Sequence, residues 1–455
     1  MLNWIWLAFL LIAVLVGGFN GKLPQMTTGV FETASDAVMK IALPLVGVMA
    51  IWLGIMRLAE RSGLVQFIAR ALRPLLRLLF PEVPPDHPAM GAIVMNMAAN
   101  MLGLGNAATP LGLRAMSLLE KLNPRPGTAT NAMCTFLAIN TASIQLVPTT
   151  AIAILAVNHA QNPTAIFLPA LLATCIAACS GVCAAKVLER LPMFRAKDEG
   201  GAEALRDVHG AMGATMKDEE TAAATTTVPV EEVAVEKVEV SPLHPIGAIA
   251  LVAFVLCFVW MFARLTWLAP SADLAEKPDW LRPLLVISML AVPFLLSFFP
   301  LYAALRGVKV YEQFVEGAKE AFGVGMRIVP FLVAMLVAIR LLRDSGVIAQ
   351  VTDTLTPVLA ALRFPADLLP MVLMRPLSGS ATQGLFVELV QHLGPDNIVS
   401  RMAATIYGST ETTFYVIAVY FGSVAVRQTR HAILAGLTAD TVAVIASITL
   451  CRLFF

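Results

Sequence analysis

The sequence predicts an all-α, multi-pass membrane protein of two repeats with broken or re-entrant helices, plus amphipathic helices at the membrane interface. Three observations predict it. Of 455 residues, 58% are hydrophobic and 14% charged, with a mean hydropathy of +0.77; the polar shell of a soluble domain usually draws on about 25% charged residues. The apolar residues fall in runs of roughly 16 to 30, enough at about 1.5 Å per residue to cross a hydrocarbon core about 30 Å thick. Finally, one pattern of prolines, glycines and charges recurs in both halves of the chain. The 32 Lys and Arg nearly balance the 31 Asp and Glu, which leaves no basic face for nucleic acid.

Leu2 to Gly18 is the first apolar run. It lacks a positively charged n-region and precedes many further spans, so it reads as a retained transmembrane helix and not a signal peptide. Further spans are expected from Ile41 to Met56, Met90 to Leu119, Ala129 to Val157, Ala165 to Leu188, Ile246 to Leu268 and Leu284 to Leu305. Met326 to Leu342, Leu368 to Val390, Met402 to Val426 and Ala432 to Leu450 complete the set. Leu64 to Phe80 and Val347 to Phe364 carry Arg70, Arg73, Arg77 and Arg363, as in amphipathic helices lying at headgroup level. Between Arg195 and Val240 the composition changes to 5 Lys or Arg against 11 Asp or Glu. We read residues 195–243 as an acidic flexible linker between a first membrane half, 1–194, and a second, 244–455.

The repeat is visible in the spacing. Glu32, Pro44, Arg57, Ser62, Gly63, Pro74 and Pro81 in one half are matched by Glu316, Pro330, Arg340, Ser345, Gly346, Pro357 and Pro365 in the other. Arginine to serine is five residues in both, and serine to proline twelve. Each half then has an apolar segment broken by small and polar residues, Asn100 to Pro110 and Arg375 to Gly384. Each has a second break, Asn140 to Pro148 and Tyr407 to Thr413. Two helices precede the second repeat and one the first, which allows the repeats to be inverted. Five arginines from Arg57 to Arg77 against three from Arg340 to Arg363 place the first such stretch on the cytoplasmic side.

Backbone inside lipid must be hydrogen-bonded internally, so interrupted helices are tolerated only where protein or a water-filled cavity surrounds them. Breaks at matching positions in two halves point to a solute site near the midplane. Small residues also let helices approach closely without any site; four breaks in register favour the site. The candidate solute contacts are Asn100, Asn106, Asn140, Ser143, Gln145, Arg375, Ser378, Ser380, Gly408, Thr410 and Glu411, which offer paired donors and acceptors to a polar solute. Glu411 and Asp440 are candidates for ion coupling. Asp440 lies mid-run, where a charge costs about 2.5 to 3.5 kcal/mol and needs a partner or a use; Arg375 is the available counter-ion for either acid.

Other chemistry is weakly signalled. Cys175, Cys179 and Cys183 lie four apart in an apolar run with no His or carboxylate beside them, as packing residues do. No cysteine spacing indicates zinc or a disulfide framework. There is no phosphate-binding loop, no nucleophile elbow and no zinc-protease motif. No cofactor, metal or catalytic residue is assigned, and transport would draw on an ion gradient.

Asn96 to Pro110 and Ala138 to Pro148 resemble spore maturation protein A, and Arg375 to Ser380 with Tyr407 to Tyr415 resemble spore maturation protein B. The resemblance spans nearly all of both halves and implies a fusion of two chains usually encoded separately. It implies membership of the gate, or nucleoside-recognition, group, which is distantly similar to concentrative nucleoside transporters. The run Gly408 to Glu411 is similar to the Gly-Gln-Thr-Glu at a re-entrant hairpin tip of those transporters. That likeness implies solute contacts for Gly408, Thr410 and Glu411, with Ser409 standing where the motif has glutamine.

The function expected is a gradient-driven transporter or channel for a small polar, nucleoside-like solute, coupled to a proton or sodium ion and sited in the bacterial cytoplasmic (inner) membrane. Its partners would be the lipid bilayer, the solute and a second copy of the chain, with no nucleic acid. The competing expectation is a non-transporting scaffold for envelope or spore maturation; an enzyme is the least favoured.

Overall fold

A computed structural model describes residues 2–194, 243–276, 278–347, 359, 361 and 363–455. Among these no β-strand occurs. The first half contains α1 (Leu2–Phe19), α2 (Leu23–Asp36), α3 (Leu43–Arg61), α4 (Leu64–Leu79), α5 (Pro88–Met101), α6 (Gly105–Lys121), α7 (Asn131–Ala142), α8 (Thr149–Val157) and α9 (Phe167–Leu188). The second contains α10 (Pro245–Ala263), α11 (Arg282–Leu305), α12 (Val310–Ser345), α13 (Leu369–Met374), α14 (Gly379–Leu393), α15 (Ile398–Tyr407), α16 (Thr413–Ser423) and α17 (Ala432–Phe454). Six helical stretches among the described residues are long and apolar enough to cross a membrane, and the protein is a multi-pass membrane protein in contact with the bilayer. The acidic segment, and most of the second amphipathic helix expected at Val347 to Phe364, lie outside the described residues.

Two rods outrun their apolar cores. The sequence marks Ile41 to Met56 and Met326 to Leu342, whereas α2 and α3 form one continuous helix from Leu23 to Arg61, and α12 has 36 residues. Hydropathy reports the stretch in contact with hydrocarbon and not the helix end, and no proline separates the polar leading turns from the apolar ones. A π-helical turn at Ala37–Ala42 precedes Pro44. The widened turn accommodates a residue with no N–H and a bulky ring. Pro330 lies within the uninterrupted α12.

Helix α4 has the two-faced character that its arginines predict. Leu64, Val65, Ala69 and Leu76 are buried while Arg70, Arg73 and Arg77 are exposed. At the other extreme, α10 is apolar all round and buries only Gly247. Ile246, Ile249, Val252 and Leu256 are exposed, as on a helix facing lipid. Cys175, Cys179 and Cys183 are free thiols on the outer face of α9; they are exposed there and not packed inside.

Equivalent helices of the two halves pack on each other. Helix α3 lies along α12, α9 along α17, and α7 also contacts α17. The four breaks expected from the sequence are all present. They separate α5 from α6, α7 from α8, α13 from α14 and α15 from α16, and the core around them is built from fully buried side chains such as Phe136, Leu137 and Phe386.

Candidate functional site

Each break frees backbone groups that must find partners inside the protein. After α5 the chain turns through Gly103 at φ +71°, and Leu104 N–H donates to Ala99 C=O at 2.9 Å, a helix stop that needs glycine's left-handed freedom. Helix α7 ends at Ser143, φ +40°. Its freed carbonyls are taken up from elsewhere in the fold: the Thr174 hydroxyl on α9 donates to Ala142 C=O at 2.7 Å and Ser143 C=O at 3.2 Å, and Glu411 N–H donates to Thr141 C=O at 2.7 Å.

The second half solves the same problem with a charge. Arg375, 3% exposed, donates through Nη2 to Tyr407 C=O at 2.9 Å and to Thr410 C=O. Its Nε reaches Thr410 Oγ1 at 3.3 Å, and the guanidinium lies 4.8 Å from the centre of the Tyr407 ring. A cation at a helix C-terminus also meets the negative end of the helix dipole. The two halves further share a tie between first and second break: Leu146 N–H donates to Met101 C=O at 2.8 Å, and Phe414 N–H to Pro376 C=O at 3.0 Å.

A polar chain runs through the first-half side of this crossing. Asn96 Nδ2 donates to Ala108 C=O at 2.7 Å, and Asn100 Nδ2 donates to Asn140 Oδ1 at 2.9 Å. Asn140 Nδ2 in turn donates to Phe136 C=O at 2.9 Å, and the Tyr420 hydroxyl lies 3.4 Å from Asn140 Oδ1. Gln145 Nε2 stands 3.5 Å from Glu411 Oε1 and 3.5 Å from Ser143 Oγ. One side chain therefore spans from the first-half break to the acid of the second.

Asp440 sits on α17 behind the second-half break, 5% exposed. Its Oδ2 accepts from Thr413 Oγ1 at 2.6 Å, while Oδ1 has no partner. The Thr141 hydroxyl, on the facing helix α7, is likewise buried without a partner. Gly436, one turn before Asp440, leaves room between them: a Cβ there would lie 3.3 Å from Thr413 Oγ1 and 3.5 Å from Thr141 Oγ1.

The predicted residues thus fall into named places. Asn100 and Asn140 bond each other; Ser143, Gln145 and Glu411 form a second group; Arg375 holds Thr410. Gly408 packs against Pro148 of the other half, where a Cβ would come within 2.6 Å. Ser378 caps α14, accepting from Ala381 N–H at 3.3 Å, and its hydroxyl is 3.2 Å from Ser380. The side chain of Asn106 lies outside what is described. Arg375 makes no ion pair with Glu411 or Asp440; its donors go to carbonyls, because the end of α15 leaves those without partners. Thr174, Thr141, Thr413, Asn96 and Tyr420 belong to the crossing without having been singled out in the sequence. No sequence signal separates Thr174 from the other threonines of the apolar runs.

The surrounding sequence matches a family model described as Gate: nucleoside recognition, over residues 42–157 and 326–427, and those two stretches contain all four breaks. Spore maturation protein A of Bacillus subtilis (strain 168) is 44% identical over 200 residues, which is 44% of this chain and 100% of that protein. Spore maturation protein B of the same strain is 40% identical over 169 residues, 37% of this chain and 95% of that protein. Among solved structures, the Alcanivorax borkumensis YdaH transporter, described as having an unusual topology, aligns over 99% of this chain and 97% of its own at 16% identity and a TM-score of 0.42.

Proposed function

Because the chain belongs to the family of spore maturation proteins A and B and joins both kinds in one polypeptide, we propose that it carries a small polar, nucleoside-like solute across the bacterial cytoplasmic membrane. The solute binds where the four breaks meet, and an ion gradient drives it. The observation that carries this reading is the junction of the halves through Glu411, whose amide donates to Thr141 C=O and whose carboxylate faces Gln145.

A solute with hydroxyl and amide groups suits this junction. Gln145 and Ser143 offer donors and acceptors, and Glu411 accepts from a hydroxyl or ring N–H. Arg375 already serves the carbonyls of the break and pairs with neither acid, so Glu411 and Asp440 remain open to a solute and a coupling ion. Two acids without an ion-pair partner among the described residues favour a coupling cation, and Asp440 with its unpartnered Oδ1 is the place for a proton or sodium ion. The reading involves no covalent step. The Gate match supports a nucleoside-like solute over an unrelated one.

Reconstituted vesicles test it. Wild type should give solute-dependent uptake that is driven by a proton or sodium gradient. Glu411→Gln should lower uptake at least about tenfold, the equivalent of about 1.4 kcal/mol, and Asp440→Asn should uncouple uptake from the gradient while retaining solute binding. Uptake at the wild-type rate in both variants would sink the proposal.

A further inference from the structure

We propose that the two membrane halves are complementary subunits joined by a tether, each presenting a surface built for the other kind of half and needing no covalent link to hold it. The proposal does not rest on the transport reading. Two relatives correspond to one half each, as separate proteins covered over 100% and 95% of their lengths. The structure supplies the physical reason why such halves belong together.

The first observation is close packing at backbone level. Helices α3 and α12 meet at Gly54 and Gly317. A Cβ on Gly54 would lie 2.6 Å from the Phe314 ring and 2.8 Å from Phe314 C=O, and one on Gly317 would lie 2.6 Å from Leu53 C=O and 3.1 Å from Gly54 Cα. Helices in lipid gain little from apolar burial against each other, so association depends on such small-residue contacts and on interhelical hydrogen bonds. Each half supplies one glycine of the pair.

A second, independent observation is the crossed placement of the leading helices. Helix α1 of the first half packs more extensively on α12 than on its neighbour α2, and α11 of the second packs more extensively on α3 than on α12. Trp6 Nε1 donates to Ala334 C=O at 3.0 Å, Asn20 Nδ2 to Ser345 C=O at 2.9 Å, and Arg306 Nε to Ser62 C=O at 3.3 Å. Each half thus caps the helix ends of the other.

The third concerns backbone groups within the fold. The amide of Glu411 has its partner at Thr141, and Ala129 N–H donates to Gln428 C=O at 2.9 Å while Arg427 and Gln428 N–H donate to Gly127 C=O at 2.8 and 3.0 Å. Separated halves would leave the buried Thr141 carbonyl and the Glu411 amide without each other, which the interior of a bilayer does not tolerate, and would open the loop contacts at Gly127 and Gln428.

The experiment is to insert a protease site within residues 221–227 of the full chain, purify the protein in mild detergent and cleave it. The fragments should co-elute at the size of the uncut protein, with a melting midpoint within a few degrees of it. Separation into two peaks, or pull-down of a tagged fragment alone, would overturn the proposal. Gly54→Ala provides the second arm. It should lower the temperature at which the cut pair comes apart by more than it lowers the melting midpoint of the uncut chain, because the tether maintains a high effective concentration. Equal shifts in cut and uncut protein would show that the α3–α12 contact does not hold the pair, and would overturn that assignment.

Discussion

Thr174 illustrates how one hydroxyl can govern a helix break. It is fully buried and serves two carbonyls, Ala142 and Ser143. Thr174→Val keeps the shape and removes the donor, leaving buried acceptors unsatisfied at about 1–3 kcal/mol. Thermal unfolding in detergent should report that loss, and Thr174→Ser should restore most of it; an unchanged midpoint in the valine variant would mean the carbonyls find other partners. His431 makes a residue-scale prediction of a different kind. It precedes α17, fully buried, with neither ring nitrogen bonded. Burial, aided by Arg430 and Lys186, pushes its pKa down to about 4 from 6.5. The folded state therefore binds fewer protons than the unfolded state between these values, so stability is present above pH 6.5 and falls as pH drops toward 4. The melting midpoint should decline by several degrees over that window, and His431→Gln should flatten the decline.

At the scale of elements, the close fit of α6 against α16 is tested by one methyl. A Cβ on Gly112 would lie 2.4 Å from the Tyr420 hydroxyl and 2.9 Å from Asn96 Nδ2. Gly112→Ala should cost about 1–3 kcal/mol through overpacking and disturb the Asn96, Asn140 and Tyr420 contacts, whereas Gly91→Ala, with nothing within 4 Å, should be neutral or slightly stabilising. Equal melting midpoints for the two would show that α16 shifts freely. The breaks themselves were legible from sequence because Gly, Pro and Asn interrupting an apolar run have few other physical readings in lipid. Helix ends were not, since the polar turns of α2 and α12 lie beyond the hydropathy signal. Nor were the donors that complete the breaks. Many helical threonines bond their own helix, as Thr438, Thr441 and Thr449 do with Leu434, Leu437 and Ile445, and composition does not distinguish those from Thr174 or Thr141. The carbonyl partners of Arg375 were hidden for a related reason: formal charges are visible in a sequence, and freed carbonyls are not.

For the whole molecule, the question is whether the halves move relative to each other during the proposed cycle. Their contacts include two unlike regions: the long α3–α12 and α9–α17 pairs, and a small clasp in which Thr128 bridges Gln428, Ala129 N–H meets Gln428 C=O, and Arg430 Nη1 donates to Ala129 C=O at 3.0 Å. The clasp joins the loops that lead into α7 and α17, the helices bearing Thr141 and Asp440. Under the proposed cycle, relative rotation of the halves would carry these loops apart, pivoting on the close glycine contact at α3–α12. Closing the clasp covalently should therefore stop transport without removing the site. Cysteines at Thr128 and Gln428, introduced after replacement of the accessible native thiols, are expected to reduce uptake strongly on oxidation and to recover it on reduction, with solute affinity unchanged. Loss of affinity along with uptake would place the effect at the breaks and not at the clasp. Undiminished uptake by the oxidised protein would mean that solute passes between halves that stay fixed, as through a channel.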